Sequence, residues 1–422
     1  MKRLRVGILF GGRSGEHEVS LLSAASVLAA IDKSKYEVVP IGITKQGRWV
    51  TSLHAEKLLR SGKDTGGDAR ATPSQLHGKN TGGEDAGATQ TSPATQTHLR
   101  AGDPQATSAA AVLASGDSVI VPPVPAAGDL MPFETDSPAH PQPESVQVDV
   151  IFPVLHGTFG EDGTIQGLLE LADIAYVGAG VLGSAAGMDK DVMKRLFVAE
   201  KLPIVKHVTV LRHEWQSEGR KVSRLIQSKL KYPMFVKPAN LGSSVGISKV
   251  HNAGELAPAM DEAARYDRKI VIEQGVGGLR GKARELECSV LGNDQPQASV
   301  PGEIIPATEF YDYSAKYLDE GSELLIPAKL SKREAKQVQQ LAIAAFQAVD
   351  CCGLARVDFL MDPKNKKIYV NEINTMPGFT SISMYPKLWA ASGVSYPELI
   401  DRLIQLGLER HAEKKKNRYS RD

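Results

Sequence analysis

The first 44 residues constrain the fold more than any other part of the chain, because they pass from strand to helix and back to strand. An apolar run from Val6 to Phe10 is broken by the glycine-rich residues 11–15, and apolar residues then recur at helical spacing from Val19 to Ala29. A second apolar run covers Tyr36 to Thr44. Two strands joined through a helix lie parallel, since the crossover returns the chain in the same direction. We therefore predict an α/β protein that begins on a parallel sheet.

The glycine-rich turn after the first strand shares glycines with a dinucleotide fingerprint but not its spacing. The second strand also ends in Ile43-Thr44, without the acidic residue that would hold a ribose. We therefore expect no NAD site here. Glu16 and Glu18 at the start of the helix could simply complement the helix dipole.

The composition changes from about residue 61 to residue 147. Gly, Ala, Ser, Thr, Pro and Gln dominate this segment, and Phe133 is its only aromatic residue. Such a segment buries too little apolar surface to offset the entropy lost on ordering. We predict a mostly disordered insertion, in which only residues 118–122 could form a short strand.

Two apolar runs near the C-terminus predict a hairpin with a polar face. Alternation in Ala355–Met361 places Arg356 and Asp358 on one face, and Glu372 and Asn374 share a face of the returning run. If the two strands pair, three oxygen-bearing side chains and one arginine converge. Oxygen ligands without Cys or His suit Mg²⁺. The alternative is the solvated face of an edge hairpin, but the glycine-bearing loop 375–378 that follows favours a binding site.

A second loop has the composition of an anion-binding site. Residues 238–246 contain glycines on both sides of Ser243-Ser244 and join two predicted strands. Backbone N–H groups and hydroxyls in such a loop can surround a phosphate. The loop is no P-loop, because it lacks that spacing and the helix after it. Lys237 directly precedes it; Lys190 is a second candidate, although many lysines only lie on solvated surfaces.

Strand and helix signals divide the chain into three predicted units: residues 1–178 with the insertion, residues 179–273, and residues 274–422. The last unit contains two marked helices. One opens with Ser331-x-x-Glu334, a capping box, and the other with Ser395-x-x-Glu398, a second capping box that has Pro397 in the first turn.

Charge and cysteine content predict a cytoplasmic protein. The formal net charge is +1, which gives no field for nucleic acid or an anionic membrane. Three cysteines without metal spacing favour a reducing compartment. The apolar run after the basic N-terminus is too short for a signal peptide, and no run reaches membrane-spanning length. The basic residues 414–416 are typical of a solvated tail.

Five ordered motifs resemble the D-alanine–D-alanine ligase family. They are residues 11–20, residues 156–167, residues 237–246, residues 311–317 and residues 356–383. The resemblance covers nearly all of the chain outside residues 61–147 and the tail. It implies a three-domain ATP-grasp ligase: an N-terminal parallel α/β domain followed by two α+β domains that grip ATP.

The resemblance also implies the reaction. ATP would phosphorylate the carboxylate of one D-alanine, and the amine of a second would attack the D-alanyl phosphate. The products would be D-alanyl-D-alanine for peptidoglycan precursors, ADP and phosphate. ATP is then a co-substrate, two Mg²⁺ or Mn²⁺ ions are the cofactors, and a homodimer is the implied assembly.

Carried over residue by residue, the resemblance assigns three groups of positions. The ATP contacts would be Lys190, Lys237 and Ser244 at the phosphate end, with Glu273, Val276, Glu285 and Phe310 toward the nucleoside. The metal ligands would be Asp358, Glu372 and Asn374. The substrates would meet Glu16, His156, Ser243, Lys316, Tyr317, Arg356, Gly378, Ser383 and Met384.

Within the third group the implied roles differ. Glu16 would hold the first ammonium, with Ser243 and Tyr317 hydrogen-bonded to it and His156 nearby. Arg356 and the Gly378 N–H would stabilise the oxyanion. Ser383, the Met384 N–H and Lys316 would take the second carboxylate.

Two other functions stay open at this stage. One is a nucleotide-binding regulator that keeps the fold without catalysis, against which the intact Arg356, Asp358, Glu372 and Asn374 argue. The other is a depsipeptide ligase that makes D-alanyl-D-lactate. Tyr317 argues against the latter, because the resemblance places tyrosine here in peptide-forming ligases and often histidine in depsipeptide-forming ones.

Overall fold

The computed structural model describes residues 3–51, 104–125, 128–132, 145–278, 281–305, 323–380 and 382–421. Elements are numbered in chain order over these residues. Their strands form three sheets of eight, four and six strands.

The first sheet has the order β6-β5-β4-β3-β2-β1-β7-β8. Its strands are β1 Leu4–Gly11, β2 Tyr36–Ile43, β3 Trp49–Thr51, β4 Asp117–Ile120, β5 Asp129–Pro132, β6 Val146–Gln147, β7 Val150–Pro153 and β8 Ala175–Tyr176. The pairs β1–β2, β1–β7 and β7–β8 are parallel. The pairs from β2 to β6 are antiparallel. The predicted parallel start is confirmed, and the sheet as a whole is mixed.

Four helices of the described ranges pack with this sheet. They are α1 His17–Ala30, α2 Pro104–Ser115, α3 Thr164–Leu171 and the final helix α10 Tyr396–Lys414. Leu403 and Ile404 of α10 share a core with Val6 and Val150 of the sheet. Gly407 allows α10 to lie directly against β8, because a Cβ there would be 2.7 Å from the Tyr176 carbonyl oxygen. The C-terminal end of the chain therefore stabilises the N-terminal sheet.

The structure corrects the prediction of a disordered insertion for the parts of residues 61–147 that it describes. Helix α2 and strands β4, β5 and β6 lie in this segment, and β4 confirms the short strand. Leu130 is fully buried, while Val112 and Val119 are 3% and 4% exposed. The segment cannot build a core by itself, but it lays small apolar side chains on a core that β1, β2 and β7 supply. Residues 61–103, 126–127 and 133–144 lie outside the described residues.

The second sheet is antiparallel and has the order β11-β10-β12-β9. Its strands are β9 His207–Leu211, β10 Met234–Pro238, β11 Ser248–Val250 and β12 Lys269–Gln274. Helices α6 Arg212–Lys229 and α7 Ala253–Tyr266 cover one face, where Ile226 and Met260 pack on Val236 and Ile272. The loop between β10 and β11 is the predicted glycine-serine loop.

The third sheet has the order β16-β15-β13-β17-β18, with β14 beside β13. Its strands are β13 Arg284–Gly292, β14 Gln297–Ala298, β15 Gly302–Ile305, β16 Glu323–Leu325, β17 Gly353–Met361 and β18 Ile368–Asn374. Helix α8 Lys332–Ala348 packs on it. The remaining helices are α4 Val181–Met188, α5 Lys190–Ala199 and α9 Met384–Ala391. Met193 and Phe197 of α5 join the core of this sheet.

The two helix-start predictions differ in outcome. The capping box of α8 is confirmed, since Ser331 Oγ accepts from the Glu334 N–H and the Glu334 carboxylate accepts from the Ser331 N–H. The capping box at Ser395 is wrong, because its side chain makes no capping hydrogen bond. Pro397 in the first turn of α10, which has no N–H to satisfy, is confirmed.

Within the described ranges, no helix is long and apolar enough to span a membrane. The limits of the three predicted domains stay a prediction.

Candidate active site

The main cleft lies between the second and third sheets. The predicted residues that line it are Lys190, Lys237, Ser243, Ser244, Glu273, Val276, Glu285, Asp358, Glu372 and Asn374. Residues far apart in sequence thus meet at one cavity, because the glycine-serine loop and the β17–β18 hairpin belong to facing sheets. Phe310, Lys316 and Tyr317 lie outside the described residues.

The glycine-serine loop places polar groups along the cleft. Ser243 and Ser244 have φ angles of 48° and 60°, and Gly246 has 70°, so successive residues adopt left-handed conformations. Backbone N–H groups in such turns form a concave site for anions. The Ser243 hydroxyl donates a hydrogen bond to the Glu16 carboxylate, which ties the loop to the start of α1.

Glu16 is enclosed by backbone that only glycine allows. A Cβ on Gly157 would lie 2.5 Å from Glu16 Oε2, and the φ of Gly157 is +74°. The carboxylate therefore fits between the loop after β7 and the glycine-serine loop. It brings a negative charge beside the cleft, as expected of a group that binds an ammonium.

Buried lysines form the cationic side of the cleft. Lys237 donates to Glu273 Oε2 at 2.9 Å, and Lys190 donates to the Leu241 carbonyl at 2.7 Å. Lys190 and Lys237 are only 7% and 8% exposed. Burial lowers the pKa of Lys190; the Glu372 carboxylate opposes this shift, and the charge of Lys237 adds to it. An anion in the cleft would stabilise both ammonium groups.

Glu273 points into the protein between two lysines. Its other oxygen, Oε1, is 3.0 Å from Nζ of Lys194. Burial raises the pKa of Glu273, but the charges and hydrogen bonds of Lys194 and Lys237 outweigh burial and lower the pKa to about 2. Sequence patterns missed Lys194; the signal was its position four residues after Lys190, which puts both on one helix face.

The predicted hairpin is confirmed, and its polar side chains meet. Arg356 pairs across the strands with Asn374, and Asp358 with Glu372. Arg356 donates two hydrogen bonds to Asp358, at 2.7 and 2.8 Å, and Asn374 Nδ2 donates a third at 3.0 Å. Glu372 lies 4.0 Å from the ammonium of Lys190. The hairpin thus presents two carboxylates toward the cationic side of the cleft.

Glu287 is a further acidic residue of the site that the sequence did not single out. It lies on β13, opposite Asp358 on β17, and its Oε2 is 3.0 Å from Arg356 Nε. Arg356 therefore lies between two carboxylates, which hold its guanidinium in one orientation. None of the sequence motifs for metal or phosphate binding includes Glu287, because its partner Arg356 is 69 residues further along the chain.

His156 lies at the junction of the first sheet and the loop after β18. Its Nε2 is 2.9 Å from Ser23 Oγ and its Nδ1 is 3.1 Å from the Met376 carbonyl oxygen. Glu161 Oε1 lies 3.8 Å from Nδ1. Burial lowers the pKa of His156, but the hydrogen bond and charge of Glu161 outweigh it, so the pKa is raised. Burial and the charge of Glu16 raise the pKa of Glu161 to about 7, against the lowering effect of His156.

The loop 375–383 carries the remaining predicted residues. Ser383 Oγ accepts from the Thr380 N–H at 3.0 Å and precedes helix α9. A Cβ on Gly378 would lie 2.8 Å from Ser383 Oγ, so a larger residue there would displace the Ser383 side chain. The Met384 side chain packs with Ile304 and Leu388, which leaves its backbone as the part available for substrate.

Metal ligation at the hairpin depends on few carboxylates. Among the residues described, no group of three or more His, Cys, Asp and Glu is close enough to hold a metal. The predicted set has two carboxylates and the amide of Asn374, a number that suits Mg²⁺ bound together with substrate phosphates.

Two family models match the chain. The model described as "D-ala D-ala ligase N-terminus" matches residues 5–179, and "D-ala D-ala ligase C-terminus" matches residues 196–405. The curated D-alanine–D-alanine ligase of Heliobacterium modesticaldum is 45% identical over 417 residues, which cover 99% of this chain and 98% of the relative. That of Geobacillus kaustophilus is 46% identical over 418 residues, with the same coverage.

Solved structures of ligases are also similar to this chain. The D-alanine-D-alanine ligase from Coxiella burnetii has a TM-score of 0.73 and 33% identity, covering 99% of this chain and 97% of its own. The VanG D-Ala:D-Ser ligase from Enterococcus faecalis has a TM-score of 0.74 and 30% identity, covering 96% of this chain and all of its own.

Two facing sheets that enclose a glycine-serine loop, buried lysines and an acidic hairpin define an ATP-grasp ligase. Within that class, the five sequence motifs and the two family models, one for each half of the chain, indicate the same family. The chain belongs to the D-alanine–D-alanine ligase family.

Proposed function

We propose that this chain joins two D-alanines to D-alanyl-D-alanine at the expense of ATP, for peptidoglycan precursor synthesis. The observation that carries the proposal is the single cleft in which the glycine-serine loop, Lys190 and Lys237 face Asp358 and Glu372. Glu16 is linked to that cleft through Ser243. This arrangement places groups for a polyphosphate, a divalent cation and an ammonium side by side.

The first step is transfer of a phosphoryl group. A carboxylate oxygen of the first D-alanine attacks the γ-phosphorus, the bond from that phosphorus to the ADP oxygen breaks, and D-alanyl phosphate forms. Lys190, Lys237 and Ser244 hold the phosphates, while Glu16 holds the ammonium of the first D-alanine. Positioning of two anions against each other accounts for most of the catalysis in such a step.

The second step forms the peptide bond. The second D-alanine loses a proton from its ammonium to water, and its amine attacks the acyl carbon; the attacking nitrogen gives a second proton to water as the bond from carbon to the phosphate oxygen breaks. The oxyanion that develops lies against Arg356 and the Gly378 N–H, and phosphate then leaves. Ser383, the Met384 N–H and Lys316 would orient the second carboxylate, and Tyr317 would hydrogen-bond with Ser243 and Glu16. Arg356 is suited to its role because Glu287 and Asp358 fix its guanidinium.

Asp358, Glu372 and Asn374 of the hairpin would hold two Mg²⁺ or Mn²⁺ ions. The fit rests on donor chemistry: two carboxylates and an amide, with no thiolate or imidazole, suit hard divalent cations. Asn374 directs Nδ2 toward Asp358, so metal binding requires its amide to turn and present the oxygen. The ions would offset the charge of the phosphates during transfer.

At the nucleoside end, Val276 and Glu285 line the cleft. We propose that Val276 contacts the adenine and Glu285 the ribose, with Phe310 beside the base. Glu273 would fix Lys237 at the phosphate end, since its two carboxylate oxygens pair with Lys194 and Lys237. We also propose that the protein is a cytoplasmic homodimer. Light scattering of the purified protein measures its mass in solution and so tests the dimer.

Product analysis tests the proposed reaction. Purified protein is incubated with ATP, Mg²⁺ and D-alanine. Parallel reactions also contain D-serine or D-lactate at the same concentration as D-alanine, and the products are identified by mass spectrometry. We expect D-alanyl-D-alanine and one ADP per dipeptide, with little mixed product. D-alanyl-D-lactate or D-alanyl-D-serine as the main product would overturn the acceptor assignment. Binding of ATP without any ADP release would favour the non-catalytic regulator.

A further inference from the structure

Lys194 has a fully buried side chain and has no role in either step of the proposed reaction. It lies on α5, one turn after Lys190, and its side chain is 0% exposed. A lysine ammonium is rarely placed in a protein interior unless it is paired, because loss of hydration is costly. Its position therefore needs an explanation beyond packing.

The contacts of Lys194 join the two sheets that form the cleft. Its Nζ is 3.0 Å from Glu273 Oε1 on β12 of the second sheet, and it donates to the Asn371 carbonyl at 3.2 Å on β18 of the third sheet. The other oxygen of Glu273 accepts from Lys237 at 2.9 Å. Lys194, Glu273 and Lys237 thus form a chain of charges that ends at the cleft wall.

The buried cluster shares its carboxylates unevenly: Lys190 lies 4.0 Å from Glu372, whereas Lys194 and Lys237 both pair with Glu273. One carboxylate, Glu273, serves two ammonium groups, and Lys190 lies in the same buried cluster. With Lys194 in place, the Glu273 carboxylate is held from its far side, and its charge, shared with Lys194, neutralises Lys237 only in part. Lys237 can then keep a direction toward the cleft and interact with an anion there. Without Lys194, Glu273 would be free to turn and to draw Lys237 away from the cleft.

We propose that Lys194 is a positioning residue for nucleotide binding, which acts through Glu273 to orient Lys237. The proposal rests on the proposed function, because it takes ATP as the occupant of the cleft. Lys194 itself touches no substrate. Its effect therefore falls on ATP affinity and leaves the chemical step and the affinity for D-alanine unchanged.

Steady-state kinetics of Lys194→Met test this role. We expect the KM for ATP to rise by about tenfold or more, as loss of a charge-assisted hydrogen bond predicts. The kcat and the KM for D-alanine stay within about threefold of the parent. Lys194→Arg, which keeps the charge, restores part of the ATP affinity. Lys206→Met is the matched control, because Lys206 is exposed nearby, and it leaves all parameters unchanged.

A double variant separates positioning from general stability. Removal of Lys194 alone leaves a buried carboxylate short of one partner and can impair folding, whereas Lys194→Met with Glu273→Gln removes both charges. In the Glu273→Gln background, Lys194→Met is expected to change the KM for ATP by less than about threefold, since the two residues act as a unit. The same large increase in both backgrounds would refute the proposal. So would an equal loss in kcat and in the affinity for both substrates.

Direct binding of ATP, measured by calorimetry without D-alanine, keeps the two proposals distinguishable. If the parent binds ATP but releases no ADP with D-alanine, the ligase assignment fails and the Lys194 proposal is still tested. Weaker ATP binding by Lys194→Met supports it, and equal binding by parent and variant overturns it.

Discussion

Buried charge organises the cleft at the scale of single residues. Glu273, Lys194 and Lys237 compensate one another, and Arg356 lies between Glu287 and Asp358. Each of these groups loses hydration on folding. When one partner is removed, the buried charge of the other is no longer compensated, and the cost of its desolvation lowers the free energy of unfolding. Functional effects of substitutions here are therefore expected to depend on which partner remains.

The metal ligands give the first residue-scale prediction. Asp358→Asn and Glu372→Gln are expected to lower ADP formation at least about a hundredfold, because metal ions supply several kcal/mol of charge stabilisation. The melting temperature stays near that of the parent, since neither change opens a cavity and Glu287 still pairs with Arg356 when Asp358 is replaced. Asp294→Asn, which changes an exposed carboxylate in the turn between β13 and β14, is the control. Near-parental turnover of either variant at modest Mg²⁺ would refute the assignment.

The pair of His156 and Glu161 gives a prediction about pH. Burial raises the pKa of Glu161 from 4.5 to about 7, and the pKa of His156 is also raised. The folded state therefore binds more protons than the unfolded chain in this range. This contribution to the free energy of unfolding is fully present below pH 4.5 and is lost as the pH rises through about 7.

Glu161→Gln removes this contribution. Its melting temperature is expected to fall less than that of the parent between about pH 5 and about pH 8. Glu200→Gln is the control, because Glu200 is exposed; its melting temperature is expected to change with pH as that of the parent does. Parallel pH profiles for Glu161→Gln and the parent would show that the pair does not hold extra protons.

At the scale of elements, the first sheet shows how a weakly patterned segment becomes ordered. Helix α2 and strands β4 and β5 contain few large apolar residues, yet Val112, Val119 and Leu130 are buried. Strand β4 pairs with β3, and α2 packs on α1 and β2. The apolar surface that orders this segment belongs to elements outside it.

Leu130 tests whether this segment belongs to the core. Leu130→Ala is expected to lower the free energy of unfolding by about 3 kcal/mol, because it leaves a cavity in a fully buried position. Met131→Ala is the matched control on the same strand, since Met131 is 42% exposed. Urea unfolding measures both. Equal stability of the two variants would mean that β5 does not pack on the sheet.

At the scale of the whole molecule, the two ends of the chain share one core. Helix α10 is the last element and packs on β7 and β8 of the first sheet, while α9 packs on β13 of the third. Tyr36 donates to Asp401 at 2.7 Å, which adds a polar contact between β2 and α10. The N-terminal sheet and the C-terminal helices therefore stabilise each other.

Gly407 tests this contact between the ends. Gly407→Leu is expected to cost about 1–3 kcal/mol of unfolding free energy, since a side chain there meets the β8 backbone and forces α10 outward. Glu409→Leu adds the same side chain on the exposed face of α10 and serves as control. If both variants unfold at the same denaturant concentration, α10 does not lie against β8.

The sequence by itself determined the periodic elements and the residues that carry the family motifs. Alternation in β17 and β18 was enough to place Arg356, Asp358, Glu372 and Asn374 on one hairpin, and the structure confirms that pairing. The glycine turn and the two apolar runs were enough to predict the parallel pair β1–β2. These features are local, so spacing along the chain records them.

Only the tertiary structure decided which distant residues meet. Lys194 reaches Glu273 and Asn371 across two sheets, Glu161 lies beside His156, and Glu287 holds Arg356. It also decided that α2 and β4–β6 are ordered. In each case the stabilising partner lies on another element, and burial of a charge or a small apolar side chain depends on what covers it. Periodicity shows which face of an element is buried, but it does not identify the partner on that face.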